Sequence, residues 1–212
     1  GLGNMNPDNT SQTLGVSADG RYVLFASWAK NLVWNTTGGN PAIYVSDLQA
    51  NTIVLASLAS NGSSVGTAPA AAMSGDGRYV AFTTLYTAVG EPVDDNRFDV
   101  YLRDLQANTT TRVSQNYLGG LHGGGDSDNP AISSDGHVVS FLSTSPTMLP
   151  GDNNGRADVF RVEMPGDSSL PVLTLQDVYM GESDQYGRTE LSFQVTLSSA
   201  SSQDVSFDVE TA

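Results

Sequence analysis

Aspartate and asparagine side chains concentrated in two loops are the residues of this sequence best suited to chemistry. One loop contains Asp152, Asn154 and Asp158 around a glycine, and an earlier loop repeats part of the pattern with Asp95 and Asp99. Ca²⁺ prefers a high density of carboxylate and amide oxygens. These five residues are therefore the candidate calcium ligands, and calcium is the only cofactor that the sequence suggests. The alternative is that they form Asx-turns that start the next strand.

The patterns that could support catalysis each have a simpler explanation. A Gly-x-Ser-x-Gly pattern at 62–66 matches the nucleophile elbow of α/β-hydrolases, but that elbow requires a helix after the serine, and no helical pattern follows. A glycosidase needs two carboxyls about 5–10 Å apart across a sugar. The pairs Asp94–Asp95 and Asp126–Asp128 are neighbours in single turns, so we interpret them as solvated surface charge.

Histidine and cysteine chemistry is also poorly supported. His122 lies in a glycine-rich stretch and His137 beside an Asp-Gly turn, so neither forms a pair with zinc spacing. The sequence contains no cysteine, which excludes disulfides and thiol chemistry. We therefore predict no catalytic residues and a protein that is not an enzyme.

Two motifs recur along the chain with the same period. The Asp-Gly pairs of the first motif begin at Asp19, Asp76 and Asp135, which are 57 and 59 residues apart. The aromatic residues of the second motif, Tyr44, Tyr101 and Phe160, have the same two spacings. Two independent landmarks with one period indicate a repeated structural unit.

Each unit reads as four antiparallel strands, so the predicted fold class is all-β. An apolar stretch leads into an Asp-Gly hairpin turn, and a β-branched and aromatic run, Arg78 to Thr84, follows it. The third strand is predicted from Asp99 to Leu105, and a turn at 106–109 leads to the fourth, Thr110 to Ser114. Aromatic strand residues supply much of the packing between sheets, and those expected there are Tyr22, Phe25, Tyr79, Phe82 and Phe141.

Four antiparallel strands per repeated unit is the construction of a β-propeller blade. The segments Asp-Gly-Arg-Tyr-Val-Ala-Phe at 76–82 and Asp-Val-Tyr-Leu-Arg-Asp at 99–104 resemble the TolB-like, WD-type propeller repeats of bacterial proteins. The resemblance covers about residues 11–164 and implies a domain at 1–164 with three blades, at about 11–65, 66–125 and 126–164. It implies fold rather than function, because propellers host unrelated activities.

The pattern changes after this domain. A Pro/Gly/Ser-rich stretch at 165–171 predicts a linker. The segment 172–212 resembles the first three strands of a Calx-beta domain, with Ser183 in place of the glycine expected after glutamate. That resemblance implies an incomplete immunoglobulin-like β-sandwich.

Charge and composition restrict the partners. The formal net charge is −14 and the sequence contains a single lysine, Lys30, so no basic surface is available for nucleic acid. No apolar run is long enough for membrane insertion. The Gly/Ser/Thr/Asn-rich composition is typical of extracellular β repeats. Triplets that permit N-glycosylation begin at Asn9, Asn35, Asn61 and Asn108.

Together these features predict a non-catalytic extracellular structural or adhesive protein of the cell surface. A three-blade arc and a half-sandwich leave faces and edges that invite pairing with other copies or with a longer parent chain, head-to-tail into a filament or ring. A protein or glycan surface ligand is a further predicted partner. The alternatives are the propeller portion of a secreted carbohydrate-active or peptidase enzyme, and a periplasmic TolB-like partner-binding propeller.

Overall fold

The chain folds into strands and turns throughout its described part. The structure, a computed structural model, describes residues 8–33, 41–59, 61–85, 97–120, 125–152, 155–164, 173–175 and 195–197. Within these ranges, no helix has the length and apolar character to cross a membrane. The chain divides into two compact units, Gly1–Met164 and Pro165–Ala212, which we describe separately.

The first two sheets are four-stranded antiparallel meanders in which each strand pairs with the next. Sheet 1 consists of β1 (Ser11–Val16), β2 (Tyr22–Ser27), β3 (Ala42–Asp47) and β4 (Thr52–Leu55). Sheet 2 consists of β5 (Thr67–Met73), β6 (Tyr79–Thr84), β7 (Asp99–Asp104) and β8 (Thr109–Arg112). The predicted four-stranded unit is therefore confirmed twice, with strand bounds close to the predicted ones.

Sheet 3 has three strands among the described residues. They are β9 (Ser127–Ile132), β10 (Val138–Ser143) and β11 (Asp158–Glu163), with β10 in the middle. By the spacing of the repeat, a fourth strand would follow Met164 and fall outside the described residues. Four strands in this unit, and hence the three complete blades, stay a prediction.

Consecutive sheets pack face to face through apolar side chains. Leu24 of sheet 1 and Phe82 of sheet 2 belong to one core, and Leu102 of sheet 2 and Phe141 of sheet 3 belong to a second. Because successive side chains of a strand point to opposite faces, one set of side chains from sheet 2 packs against sheet 1 and the other against sheet 3. Burial of a large apolar side chain stabilises the fold by about 1.5–3 kcal/mol. Meander sheets that stack in chain order make the first unit propeller-like.

Each sheet carries one stacked pair of aromatic rings at equivalent positions of its second and third strands. The ring centroids are 5.3, 6.1 and 5.9 Å apart in the pairs Phe25–Tyr44, Phe82–Tyr101 and Phe141–Phe160. Phe82 and Phe141 lie in the cores between sheets, as predicted. Phe25 instead packs with Ala29 and Leu32 on the other face of sheet 1. The expectation that Phe25 lies between sheets is therefore wrong, because β2 turns this face toward its own following loop.

The Asp-Gly turns are closed by the same hydrogen bonds in every sheet. In sheet 1, Ser17 Oγ donates to Asp19 Oδ1 at 2.6 Å and accepts from the Tyr22 N–H at 2.8 Å, and Asp19 Oδ1 accepts from the Arg21 N–H at 2.9 Å. Ser74 and Ser133 make the equivalent bonds. The glycines that follow have φ of 75°, 76° and 77° at Gly20, Gly77 and Gly136. The predicted turns are confirmed, but only the glycine has a positive φ, and the aspartate serves as an acceptor.

Backbone hydrogen bonds join each hairpin to the hairpin of the next sheet. The Ala18 N–H donates to the Gly75 carbonyl at 2.8 Å, and the Gly75 N–H donates to the Ser134 carbonyl at 2.8 Å. A Cβ added to Gly75 would lie 2.1 Å from Ser134 Oγ, so the two turns are in direct contact. The spacing between sheets is thus set at the turns as well as in the cores.

A tyrosine ring reinforces each of these contacts. The ring of Tyr22 lies over Gly77, and the ring of Tyr79 lies over Gly136 in the same way. A Cβ built on either glycine would approach the ring to 2.3 Å, whereas one built on Gly20 would meet nothing within 4 Å. We call the hairpin contact with its tyrosine the hairpin joint. The described residues contain two such joints.

The second unit is described in two short strands. They are β12 (Leu173–Leu175) and β13 (Val195–Leu197), which pair antiparallel with Leu173 opposite Leu197. Both strands fall within the segment 172–212, for which three strands are predicted. The linker at 165–171 and the rest of the predicted Calx-beta-like segment lie outside the described residues.

Candidate functional site

A cavity of about 960 Å³ opens between sheets 1 and 2, beside the turns that end their strands. Its walls are largely aliphatic, with Val45, Ile53 and Leu55 from sheet 1 and Leu105 from the end of β7. Pockets that bind small molecules typically enclose about 300–1,000 Å³ and combine apolar walls with a few polar groups. The cavity therefore has the size and lining of a ligand site.

A buried arginine, Arg103 of β7, supplies the main polar group of this cavity. Only 3% of Arg103 is exposed. One terminal nitrogen donates to Thr110 Oγ1 at 3.2 Å, the other donates to Asn108 Oδ1, and Nε has no hydrogen-bond partner. A buried donor without an acceptor costs about 1–3 kcal/mol, and more when it is charged. Arg103 therefore lowers the stability of the fold unless another group pairs with it.

The repeat shows that the fold does not require arginine at this position. Arg103 shares a face of β7 with Tyr101, and the equivalent residues of the other two units are Ser46 and Val162. Sequence reasoning missed Arg103. The signal was present as a lone basic residue at a strand position where the other units carry serine and valine.

Two carboxylates close to the cavity, those of Asp47 and Asp104, are paired with other arginines. Arg78 Nη2 contacts Asp104 Oδ2 at 2.8 Å, and Arg21 Nη2 contacts Asp47 Oδ2 at 2.6 Å. Among the described residues, no carboxylate forms an ion pair with Arg103. Desolvation lowers the pKa of the Arg103 guanidinium, although the negative charge of Asp104 acts in the opposite direction. Within the part of the chain that the structure describes, the Arg103 guanidinium in this cavity therefore has no direct counterion.

The two paired arginines form equivalent clamps across their sheets. Each guanidinium bridges from the Asp-Gly turn to the aspartate at the end of the third strand, 26 residues further on. Each also lies over the ring of the next residue, with Arg21 at 4.8 Å from the centroid of Tyr22. Bidentate contacts of this kind are stronger than single ones. The clamps hold the turn that carries the hairpin joint.

We expect the clamp of sheet 1 to make stability depend on pH. Its hydrogen bonds from Arg21, and then those from the backbone, lower the pKa of Asp47 from 3.8 to about 2. When folding lowers a carboxyl pKa, the group contributes its full stabilisation at a pH above its pKa in the unfolded state. The contribution is lost as the pH falls through the pKa in the folded state. An Asp47→Asn variant should be less stable than the wild type at neutral pH, and the two should converge as pH falls to about 2. Urea unfolding across this range measures the difference, and a difference independent of pH would contradict the assignment.

The candidate calcium ligands are only partly placed. Asp152 and Asp158 are half-buried, and Asp158 begins β11. Asn154 and Asp95 lie outside the described residues. In the part of the chain that the structure describes, no three His, Asp or Glu side chains are grouped as metal ligands. Calcium binding at these positions stays a prediction.

Asp99 has a partner that explains it without a metal. Its side chain is buried in sheet 2, where Oδ1 accepts from Arg112 Nη2 at 2.6 Å and from Ser114 Oγ at 2.9 Å. The corresponding residues of sheet 1 are Ala42, Leu55 and Ser57, so the first unit has apolar residues in place of the ion pair.

Those of the remaining sequence candidates that the structure describes lie in turns, bridges and strand ends. The segment 62–66 lies in a turn and an isolated β-bridge, Leu58 with Ser64, and leads into β5 rather than a helix. Asp126 accepts from the Phe98 N–H at 3.0 Å. The backbone N–H of His137 donates to Asp135 Oδ1 at 3.0 Å within its turn. His122, Asp94 and Asn35 lie outside the described residues.

Comparison with known proteins adds solved structures and no sequence relatives. No protein-family model and no curated protein sequence matches the chain. The chain is similar to TolB from Acinetobacter baumannii, with 17% identity and a TM-score of 0.44 over 73% of this chain and 30% of that one. It is also similar to the β-propeller domain of the trilobed protease from Pyrococcus furiosus, with 9% identity and a TM-score of 0.39 over 82% of this chain and 51% of that one. A third similar structure is oligogalacturonate lyase from Vibrio parahaemolyticus, with 12% identity and a TM-score of 0.37 over 73% of this chain and 36% of that one. The chain thus spans less than a third of the length of this TolB.

Proposed function

We propose that this chain is a non-catalytic scaffold of propeller-type blades at the cell surface or in the periplasm, and that it joins another chain by strand addition. The three sheets serve as consecutive blades, and the segment 172–212 as a Calx-beta-like module. The partner is a second copy or a longer parent chain. Repeated head-to-tail joining would propagate into a filament or ring unless the rotation closes.

The side of β11 away from β10, which no strand among the described residues covers, is the observation that carries the proposal. A strand from another chain would take the place that β4 and β8 occupy in sheets 1 and 2. Among the described residues, β11 pairs only with β10, whereas β3 and β7 each pair on both sides. Val159 of β11 is 74% exposed, and the equivalent Val100 of sheet 2 is fully buried. An open strand edge is a template for pairing with another chain.

The repeat identifies which backbone groups of β11 face the free side. The Ile43 N–H donates to Ser57 Oγ at 3.0 Å, and its carbonyl accepts from the Ala56 N–H at 2.8 Å. Val100 makes the same two contacts with Ser114 and Val113. Val159 is the equivalent residue, so its N–H and carbonyl point away from β10 and toward an added strand.

A proline at Val159 tests strand addition. Proline removes the N–H on the free side and is tolerated at sheet edges, so pairing with β10 is preserved. We expect wild-type protein at micromolar concentration to form oligomers, Val159→Pro to shift them toward monomer, and Val159→Thr, which keeps the N–H and a β-branched shape, to behave as wild type. Light scattering coupled to size-exclusion chromatography measures this. A monodisperse wild-type monomer with both units folded would exclude assembly.

The cavity beside Arg103 favours a second candidate, in which the chain is the propeller portion of a secreted carbohydrate-active or peptidase enzyme. Hydrolysis of oligosaccharide or peptide substrates by the parent protein, lost when the cavity is blocked by Ile53→Trp, would support it. A periplasmic TolB-like partner-binding propeller shares the non-catalytic role of the first candidate and differs from it in binding a different protein instead of a copy.

A further inference from the structure

We propose that the cavity between sheets 1 and 2 binds a small organic monocarboxylate, whose charged end pairs with Arg103. The proposal is independent of strand addition at β11, because the cavity lies between sheets 1 and 2, whereas that edge belongs to sheet 3. It assigns a binding site to residues that the scaffold function leaves unexplained.

The guanidinium of Arg103 is buried with its charge unneutralised by any described carboxylate. Arg103 is 97% buried, lines the cavity and has an Nε–H without an acceptor. Its two hydrogen bonds go to the neutral oxygens of Thr110 and Asn108, which orient the group but do not neutralise its charge. Buried charges in proteins are normally paired. The missing partner is therefore an anion that the cavity admits from solution.

The charges around the cavity favour a ligand with a single negative charge. Asp47, Asp76 and Arg78 also line the cavity, and Asp47 and Arg78 are each held in an ion pair, with Arg21 and Asp104. The carboxylate of Asp76 and the net charge of −14 of the whole chain remain. These charges repel phosphates and polyanions, whereas a single negative charge placed directly on Arg103 matches its single positive charge. A carboxylate also fits the planar donors of a guanidinium better than a spherical anion does.

The size and lining of the cavity indicate what the ligand carries besides its carboxylate. A cavity of about 960 Å³ is much larger than a carboxyl group. Val45, Ile53, Leu55 and Leu105 present aliphatic walls, and Thr52 and Gln106 add polar groups beside them. The ligand therefore carries a ring-sized apolar or partly hydroxylated body beyond its carboxylate, as aromatic acids and sugar acids do.

The structural alternative is that Arg103 is a packing residue that water satisfies. Because the other units have Ser46 and Val162 at this position, replacement by valine uses a residue that the repeat already accepts. If Arg103 only packs, then carboxylates should not distinguish the wild type from Arg103→Val. If it binds a carboxylate, the variant should lose the response without losing the fold.

The test uses benzoate and glucuronate as probes, with benzamide, glucose and inorganic phosphate as comparisons at constant ionic strength. We expect both carboxylates to raise the melting temperature of the full chain and the neutral analogues and phosphate not to. Calorimetric affinity should fall about ten- to a hundredfold in Arg103→Val, as for loss of a charged hydrogen bond. Arg161→Gln, which removes an exposed arginine of β11, should bind as wild type does.

A direct readout keeps the test decisive if Arg103→Val does not fold. Benzoate should shift the Nε–H resonance of Arg103 in the wild-type protein and slow its exchange with water. The proposal is overturned if neither carboxylate moves this resonance or the melting temperature, or if benzamide or phosphate acts equally well.

Discussion

Replacement of Asp99 by alanine is expected to destabilise the fold by about 3–5 kcal/mol, because it removes the carboxylate that pairs with Arg112 inside sheet 2. The side chains of Arg112 and Asp99 are only 2% and 5% exposed. The guanidinium would keep its bond to the Ser114 carbonyl, but the buried positive charge would lose its ion pair with Asp99. Urea unfolding monitored by circular dichroism measures the loss.

The repeat supplies a matched control for this prediction. Sheet 1 has Ala42 and Leu55 at the equivalent positions, and both are buried in an apolar cluster. The double variant Asp99→Ala with Arg112→Leu copies that arrangement into sheet 2, so we expect it to recover most of the lost stability. A double variant as unstable as Asp99→Ala would show that sheet 2 needs the charges themselves.

Alanine is expected to reduce stability more at Gly77 and Gly136, which lie in hairpin joints, than at Gly20, which does not. Gly77 and Gly136 have positive φ, where alanine costs roughly 1–2 kcal/mol. Their added Cβ would also overlap a tyrosine ring at 2.3 Å, and overpacking of this kind costs about 1–3 kcal/mol more. Gly20 has the same φ and open space around it, so Gly20→Ala should show the backbone cost alone.

The comparison is made from the midpoints of thermal and urea unfolding of the three single variants. Because the Cβ of Tyr22 would lie 3.0 Å from the Cβ added at Gly77, rotation of the ring alone cannot relieve the contact. Equal losses for Gly20→Ala and Gly77→Ala would mean that the hairpin joint contributes little. If Tyr22→Ala, which removes the ring atoms at 2.3 and 2.6 Å, relieves most of the loss of Gly77→Ala, the excess belongs to the ring.

The all-β class, the hairpin turns and the first two sheets could be predicted because their signals are local. Asp-Gly followed by an alternating run specifies a hairpin within a few residues, and the constant spacing of Tyr44 and Tyr101 places the third strand. The serine at the start of each turn was overlooked although Ser17, Ser74 and Ser133 recur with the same period. The clamp partners could also have been found from their equal separation in the first two units.

The candidate site could not be predicted in the same way, because it depends on contacts between sheets. Which face of β7 points toward sheet 1 decides whether Arg103 meets water or a cavity, and one residue of register would reverse it. The same uncertainty applied to Phe25. It lies in a strand, as predicted, but on the face of sheet 1 that points away from sheet 2. Asp99 looked like a loop acid from its neighbours, and only its distance to Arg112 shows an ion pair.

The hairpin joint also determines how this chain can lengthen by tandem duplication of its gene. The second unit carries both halves of the joint, with Gly77 to receive a ring and Tyr79 to provide one. A copy of that unit inserted after itself would again place the ring of Tyr79 over a turn glycine, so the ring contact of the joint would be repeated at the new junction. The third unit has Val138 where the others have tyrosine, so a copy added after it would lack the ring. Growth by duplication is therefore favoured inside the array and disfavoured after its third unit.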